Sequence, residues 1–295
     1  MTNPQIQQIL SNSVFLGNHE NQSAEWYELR NNPGVISGSE IGAILGLSPF
    51  TSAYTLWAEK TGKLERSVTP NTAMRLGTLV EPAIRQLYME SHPNHVVEEV
   101  GTYAKADADW MHANADGIAI DENGKGYVLE IKHTALYWDS IPEHYKAQVY
   151  WYMNVFNLRK AVFAVVNAGR YKEFELLWDD FEWQSILQQV NKFRSYVLEN
   201  LEPDWDGSES TYETTRQLSE GVESRDEELG QLGIELFNAQ DAFDEAETHL
   251  REMKSRTIAA LNGAKNGVIN GKVVCSLQQR AGGLPYLTIK KVNKK

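Results

Sequence analysis

The run Ala115-Asp116-Gly117-Ile118-Ala119-Ile120, the four residues Asp121-Glu122-Asn123-Gly124, and then Gly126-Tyr127-Val128-Leu129-Glu130-Ile131-Lys132 decide the reading of this chain. Two apolar runs flank an Asn-Gly pair, the local signal of a β-hairpin. Residues two apart on a strand share a face, so Glu130 and Lys132 project together, and the hairpin brings Asp116 beside Glu130. Two acids and a lysine on one sheet face are costly to leave without a partner. A hard divalent cation resolves that cost, because carboxylates and a backbone carbonyl are the oxygen ligands magnesium takes. The lysine can orient or deprotonate a water, or stabilise developing charge. Together these parts suit metal-assisted attack on a phosphodiester. An exposed hairpin with a cross-strand salt bridge is the plainer alternative. Glu-x-Lys alone is common, and the pattern gains specificity from Asp116 fourteen residues earlier and from Glu81 on an upstream helix.

Working outward, Ser37 or Ser39 reads as the N-cap of a short helix over 40–45, stopped by Gly46 and Ser48-Pro49. Residues 52–60 read as a second helix closed by Gly62. A longer helix is predicted over 71–90, with Met74, Leu79, Ile84, Leu87 and Tyr88 approximating its apolar face. Pro82 lies inside it and predicts a kink or a restart. Residues 96–104 read as one strand. Residues 1–35 are polar and mixed, with Trp26 and Tyr27 as an anchor pair. Downstream, Pro142 starts a helix to about 156, 161–167 is an apolar run suited to a buried strand, and 172–178 alternates like its partner. An amphipathic helix over 180–201 and a linker over 203–210 follow. The class is α/β.

The 295 residues include 8 Trp, 13 Tyr and 9 Phe, enough apolar material for a proper core and for one large domain or two ordinary ones. The single cysteine, Cys275, excludes a disulfide framework, a cysteine-built zinc site and a four-cysteine iron–sulfur cluster. The N-terminus shows no signal-peptide pattern and the longest apolar runs are short, so a cytoplasmic protein with no membrane partner is expected. The net charge of −12 argues against a non-specific coater of nucleic acid, but a basic channel can sit in an acidic protein.

After residue 215 the texture changes. Leu229, Leu232, Leu236, Ala239, Phe243, Ala246, Leu250 and Met253 recur three and four apart, a coiled-coil seam over three heptads. Residues 272–277 and 285–291 read as a small hairpin. Residues 263–295 hold seven Lys/Arg and no acid, read as a solvated tail or, less often, as a binding arm. The expected domains are 1–215 and 216–295.

Five motifs stand in order: Trp26-Tyr27-Glu28-Leu29-Arg30 with Ile36-Ser37-Gly38-Ser39-Glu40-Ile41, then Gly77-Thr78-Leu79-Val80-Glu81, Asn114-Ala115-Asp116-Gly117, Leu129-Glu130-Ile131-Lys132, and Ala147-Gln148-Val149-Tyr150-Trp151-Tyr152-Met153. In this order they resemble the PD-(D/E)xK nuclease superfamily, and within it the lambda exonuclease-like branch of YqaJ-like viral recombinases, over roughly residues 22–200. Ala115 stands where the superfamily's name places proline, a residue that supports the turn and does no chemistry.

The resemblance implies a restriction-endonuclease-like core, a mixed central sheet flanked by helices, with a C-terminal coiled-coil helix and small β-hairpin appended. It implies a magnesium-dependent 5′→3′ exonuclease on linear double-stranded DNA, with manganese as a substitute ion. Two-metal hydrolysis would leave 3′ overhangs for phage-type recombination. Asp116, Glu130 and the Ile131 carbonyl would hold metal, Lys132 would position the attacking water, and Glu81 would hold waters around the ions. Gln148 would support the lysine or the scissile phosphate. Arg30 and Ser39 would form a 5′-phosphate pocket, which has independent chemical sense as a fixed arginine beside a helix N-terminus. The same two residues also read as a surface arginine and an ordinary N-terminal serine. Partners would be duplex DNA ends, a single-strand annealing protein and further copies of the chain in a ring, in a bacterial or phage-infected cytoplasm.

His92 and His95 read as surface histidines rather than ligands, and His133 as touching the site or buried. Tyr137 and Trp138 read as core or as DNA-stacking groups, Tyr150 and Tyr152 as helix packing, and Cys275 as structural. A structure-specific endonuclease of the same fold is one rival. A CRISPR-associated or RecB-type nuclease with an iron–sulfur cluster is opposed by the single cysteine. A non-catalytic DNA-binding or assembly module is opposed by the intact Asp116, Glu130 and Lys132.

Overall fold

The computed structural model describes residues 3–18, 23–66, 71–219 and 221–290. Lys291, Lys294 and Lys295 of the basic tail lie outside them. The elements run α1 (Pro4–Leu10), β1 (Ser13–Gly17), α2 (Ala24–Asn31), β2 (Ile36–Ser37), α3 (Gly38–Ile44), α4 (Ala53–Lys60), α5 (Thr72–Ser91), β3 (Val96–Glu98), β4 (Thr102–Lys105), β5 (Ala108–Ala113), β6 (Gly117–Ile120), β7 (Gly126–Thr134), α6 (Glu143–Val155), β8 (Lys160–Asn167), β9 (Arg170–Leu177), α7 (Asp180–Glu199), α8 (Glu209–Leu218), α9 (Gln231–Leu261), β10 (Asn266–Ile269), β11 (Lys272–Gln278) and β12 (Tyr286–Ile289). No helix among the described residues is long and apolar enough to cross a membrane.

The central sheet has the order β3-β6-β7-β8-β9. The β6–β7 hairpin closes through Gly124, at φ +77°, where a residue without Cβ is needed. The pairing of β7 with β8 is parallel and the others are antiparallel, so the sheet is mixed as expected. The α6 crossover joins β7 to β8. Strand period sorts the side chains of β7. Tyr127, Leu129 and Ile131 pack with Ile84 and Tyr88 of α5, while Val128 joins the larger core with Val149, Trp151 and Phe163. Glu130 and Lys132 therefore belong to the α6 side of the sheet.

Several expectations are corrected. Pro82 does not restart α5, which runs through it as one helix. Its missing N–H removes one bond from a helix that burial of Ile84 and Tyr88 anchors. Of the predicted face only those two are buried; Met74, Leu79 and Leu87 are exposed. The strand over 96–104 is two, β3 and β4, in different sheets. The chain breaks at Gly101, where a Cβ would lie 2.5 Å from the Gly17 carbonyl oxygen. The polar N-terminal segment forms α1, β1 and α2, and β1 joins a second sheet of order β1-β4-β5-β2. The hairpin over 272–291 gains a third strand, β10.

The chain divides into two compact units, Met1–Gly221 and Val222–Lys295. The position after 215 lies inside α8, and the linker expected over 203–210 connects α7 to α8 within the first unit, its last two residues opening α8. Thr211 Oγ1 donates to Ser52 Oγ at 2.8 Å, and the hydroxyls of Thr55 and Thr214 bond at 2.8 Å, so α8 is tied to the start of α4. Deletion of 222–295 is expected to leave a cooperatively folding first unit. Deletion of 216–295 removes the last turn of α8 and Leu218, which packs on the core, and is expected to lower the midpoint of thermal unfolding relative to the longer fragment.

Candidate active site and anion pocket

Asp116 sits one step beyond the Gly117–Leu129 pair that ends the β6–β7 ladder. Its Oδ2 accepts the Ile131 N–H at 2.7 Å, which fixes the carboxylate at the end of the hairpin. Glu130 is 1 % exposed. Its Oε1 accepts from Lys132 Nζ at 2.5 Å and from Gln148 Nε2 at 3.1 Å. Its Oε2 is buried with no partner among the described residues. Burial and then the Asp116 charge push the Glu130 pKa upward, against the pull of Lys132. Burial alone would lower Lys132, but the Glu130 and Asp116 carboxylates overrule it and hold its pKa above the ordinary range. The Lys132 ammonium also lies 5.1 Å from the Tyr145 ring centroid, within cation–π range.

Glu81 comes to the Asp116 end of the hairpin from α5. Burial and the nearby Asp116 charge raise its pKa. Arg85 is the residue the sequence reading missed. One guanidinium nitrogen donates to Glu81 Oε1 at 2.8 Å and to the Asp116 carbonyl at 3.0 Å, and the other pairs with Glu99. Its local signal was the four-residue spacing from Glu81 on one helix face. Gln148 meets the carboxylate rather than the lysine, and the same Nε2 donates to Tyr152 Oη at 2.9 Å. Tyr152 in turn underlies the first turn of α3, where a Cβ on Gly38 would lie 2.3 Å from Tyr152 Cε1.

Among the described residues no group of three His, Cys, Asp or Glu side chains could by itself hold a metal ion. The residues present nonetheless fit a hard cation. Two carboxylates converge, one oxygen of Glu130 is buried and unsatisfied, and backbone carbonyl and water oxygens complete such shells as a rule. The residues that would hold it are Asp116, Glu130 and, through its backbone carbonyl, Ile131.

Arg30 and Ser39 are brought together, with Arg30 Nη1 donating to Ser39 Oγ at 2.6 Å. The guanidinium lies 3.7 Å from the Trp26 ring centroid. Arg30 is buried, and no carboxylate among the described residues forms an ion pair with it. Burial lowers its pKa to about 10, although Glu40 and Tyr152 oppose that. A cavity of about 10 Å³, lined in part by Trp26, Arg30, Ser37 and His112, adjoins it and has room for one water-sized group. The helix start beside it is held by Glu40, whose carboxylate accepts the Ser37 N–H at 2.8 Å. The N-cap is Ser37, and Ser39 lies in the first turn.

His92 and His95 lie together away from the carboxylates at the Asp116 end of the hairpin. Their rings stack at 4.6 Å and bond Glu173, Tyr127 and Glu122. Trp138 and Tyr150 are core, and Tyr137 is exposed.

Residues 25–159 match the YqaJ-like viral recombinase domain, a span that contains every candidate residue named above. The chain is 24 % identical over 281 residues to the uncharacterized protein YqaJ of Bacillus subtilis (strain 168), covering 89 % of this chain and 85 % of that one. Among solved structures it is similar to the alkaline exonuclease LHK-Exo from Laribacter hongkongensis, with 18 % identity, 67 % of this chain and all of that one covered, and a TM-score of 0.48. It is also similar to a phage-related exonuclease from Haemophilus somnus 129PT, with 10 % identity, 55 % and 93 % covered, and a TM-score of 0.43. Over residues 25–159, just under half of its length, the chain is thus similar to the YqaJ-like viral recombinase domain.

Proposed function

We propose that this protein is a magnesium-dependent exonuclease that digests one strand of linear duplex DNA from its 5′ end and leaves 3′ overhangs for a single-strand annealing protein. The observation that carries the reading is Glu130: a buried carboxylate with one oxygen held by Lys132 and Gln148 and the other unsatisfied, beside Asp116. A magnesium ion, or manganese in its place, held by Asp116, Glu130 and the Ile131 carbonyl would supply Lewis acidity toward the phosphate. Lys132 would orient the attacking water with its N–H donors and stabilise charge as the phosphorus–O3′ bond breaks. Gln148 keeps Glu130 in place, and Glu81, clamped by Arg85, would order water at the Asp116 end. Release of end-labelled nucleotides from linear duplexes with magnesium tests this. No release from linear duplex, or equal cutting of closed circles, would overturn the exonuclease reading. We further propose that several subunits enclose the duplex, so that basic groups face DNA within an acidic protein.

Arg30 and Ser39 would receive the 5′-phosphate. A buried guanidinium with no carboxylate ion-paired to it among the described residues is suited to a phosphate, which it binds bidentately. The cavity beside it is water-sized, so the phosphate enters with a shift of the lining residues. Arg30→Ala is expected to slow digestion of 5′-phosphorylated ends by roughly tenfold or more, equivalent to a charged hydrogen bond of at least ~1.4 kcal/mol. It should erase the preference over 5′-hydroxyl ends and leave metal binding unchanged. A wild-type enzyme indifferent to the end-phosphate would rule the pocket out.

A further inference from the structure

We propose that α9 is a self-association helix through which two copies of this chain pair antiparallel. The helix has 31 residues and none is buried, and at 1.5 Å per residue it is about 46 Å long. Its seam lies open to solvent: Leu232 and Phe243 are each 63 % exposed and Leu236 64 %, with Leu250 and Met253 also exposed. An apolar row of that length in water is an unfavourable state that a partner helix relieves.

Two independent features name the partner and its direction. The first is the alternation of size along the seam. One heptad position holds Leu236, Phe243 and Leu250, and the other holds Leu232, Ala239, Ala246 and Met253. In a parallel pair like positions face each other, so Phe243 would meet Phe243 and Ala239 would meet Ala239, crowding one layer and leaving a void in the next. In an antiparallel pair the two positions face each other instead. Phe243 then packs on Ala246 of the partner subunit, Leu250 on Ala239 of the partner subunit, and Leu236 on Met253 of the partner subunit. Large meets small in the central layers, and the helices overlap almost end to end.

The second feature is charge. Residues 231–247 hold five acids and no base, whereas 248–261 hold Arg251, Lys254 and Arg256 against Glu252. An antiparallel pair sets the acidic half of each helix on the basic half of the other, with Glu235 across from Arg256 of the partner subunit. A parallel pair sets acid on acid. The polarity also suits the helix's own dipole, but the alternation of large and small side chains does its work only between helices. The contact is isologous, so it closes at two chains and adds no open edge.

The test uses the full chain. Sedimentation equilibrium is expected to give an even number of subunits, and the double variant Leu236→Asp/Leu250→Asp is expected to halve that mass with the unfolding transition of the first unit unchanged. Direction is read by oxidative cross-linking in a Cys275→Ala background. Glu235→Cys mixed with Arg256→Cys is expected to form cross-linked dimers, and each alone is expected to form few. A monomeric wild type, an unchanged mass in the double variant, or a lowered first-unit transition in a half-mass variant would overturn the proposal. So would efficient cross-linking of Glu235→Cys with itself, which marks a parallel pair.

Discussion

Lys132→Ala is expected to cut at least ~10²-fold more slowly in single-turnover digestion, a loss of about 2.7 kcal/mol of transition-state stabilisation, while the protein still folds and binds duplex ends. The reason lies in where the ammonium sits. It bonds Glu130 Oε1 at 2.5 Å on the sheet face that α6 covers, and it lies 5.1 Å from the Tyr145 ring centroid. In the proposed reaction, contacts to DNA made in the ground state would be spread over a larger surface, so losing one cation would change affinity little. Charge developing on the phosphate would instead meet Lys132 directly, beside the cation held by Asp116 and Glu130, so its loss would fall on the transition state. Removing Lys132 also leaves Glu130 without its counter-charge, and a buried carboxyl in that position takes up a proton rather than stay ionised. Asp116→Asn is expected to lose cleavage too, but for a different cause: one of two carboxylates for the cation is gone, so metal affinity measured by titration falls with it. Calcium should support DNA binding without turnover. Near-normal cleavage by either purified variant would remove these residues from the active site.

The parts of this site that could be read in advance are those set by local chain geometry. The Asn-Gly turn and the period of two along β7 place Asp116, Glu130 and Lys132 together without any distant information. Gln148 came only with the family motif, because its bond to Glu130 crosses from a helix to a strand eighteen residues away. Arg85 was missed because its link to the Asp116 carbonyl spans thirty-one residues and leaves no periodic trace. The same holds for α1, whose one buried side chain, Ile6, is too little pattern to announce a helix. The predicted face of α5 failed for another reason. Met74, Leu79 and Leu87 satisfy a helical spacing, but spacing says which residues share a side, not whether anything covers that side. Charged residues mislead most. Nothing in the sequence marks Glu40 and Lys60 as interior, yet both are 2 % exposed, because they neutralise each other inside the fold.

That pair carries the largest expected effect on stability. Glu40→Gln keeps the shape of the side chain and is expected to lower the unfolding free energy by about 3–5 kcal/mol, the cost of stripping one partner from a buried ion pair. The wild-type carboxylate accepts from Ser37 N, Arg66 Nη1 at 2.9 Å and Lys60 Nζ at 3.1 Å. Without its charge the Lys60 ammonium keeps only the carbonyls of Arg30 and Val35. Burial already pulls the Lys60 pKa down despite Glu40, so the lysine has little tolerance for losing its partner. On Glu40 itself burial acts upward, but Lys60, Arg66 and Arg30 overrule it and bring the pKa down to about 2. The folded value is thus below the unfolded one of about 4.3, so the stabilisation is full above the unfolded value and is lost as pH falls through the folded one. Denaturant unfolding of wild type and variant should therefore show a constant gap above about pH 5 that narrows toward pH 2, where Glu40 becomes neutral as well. A gap of equal size at pH 2.5 and pH 7 would mean that the charge is not its cause. Adding Lys60→Met to Glu40→Gln should recover part of the loss, since an apolar chain of similar length needs no counter-charge. The ion pair also reaches the proposed phosphate pocket, because Lys60 holds the Arg30 carbonyl. Glu40→Gln should therefore weaken the preference for 5′-phosphorylated ends at temperatures where the domain is still folded, and Glu40→Gln/Lys60→Met should leave that preference impaired even as stability returns.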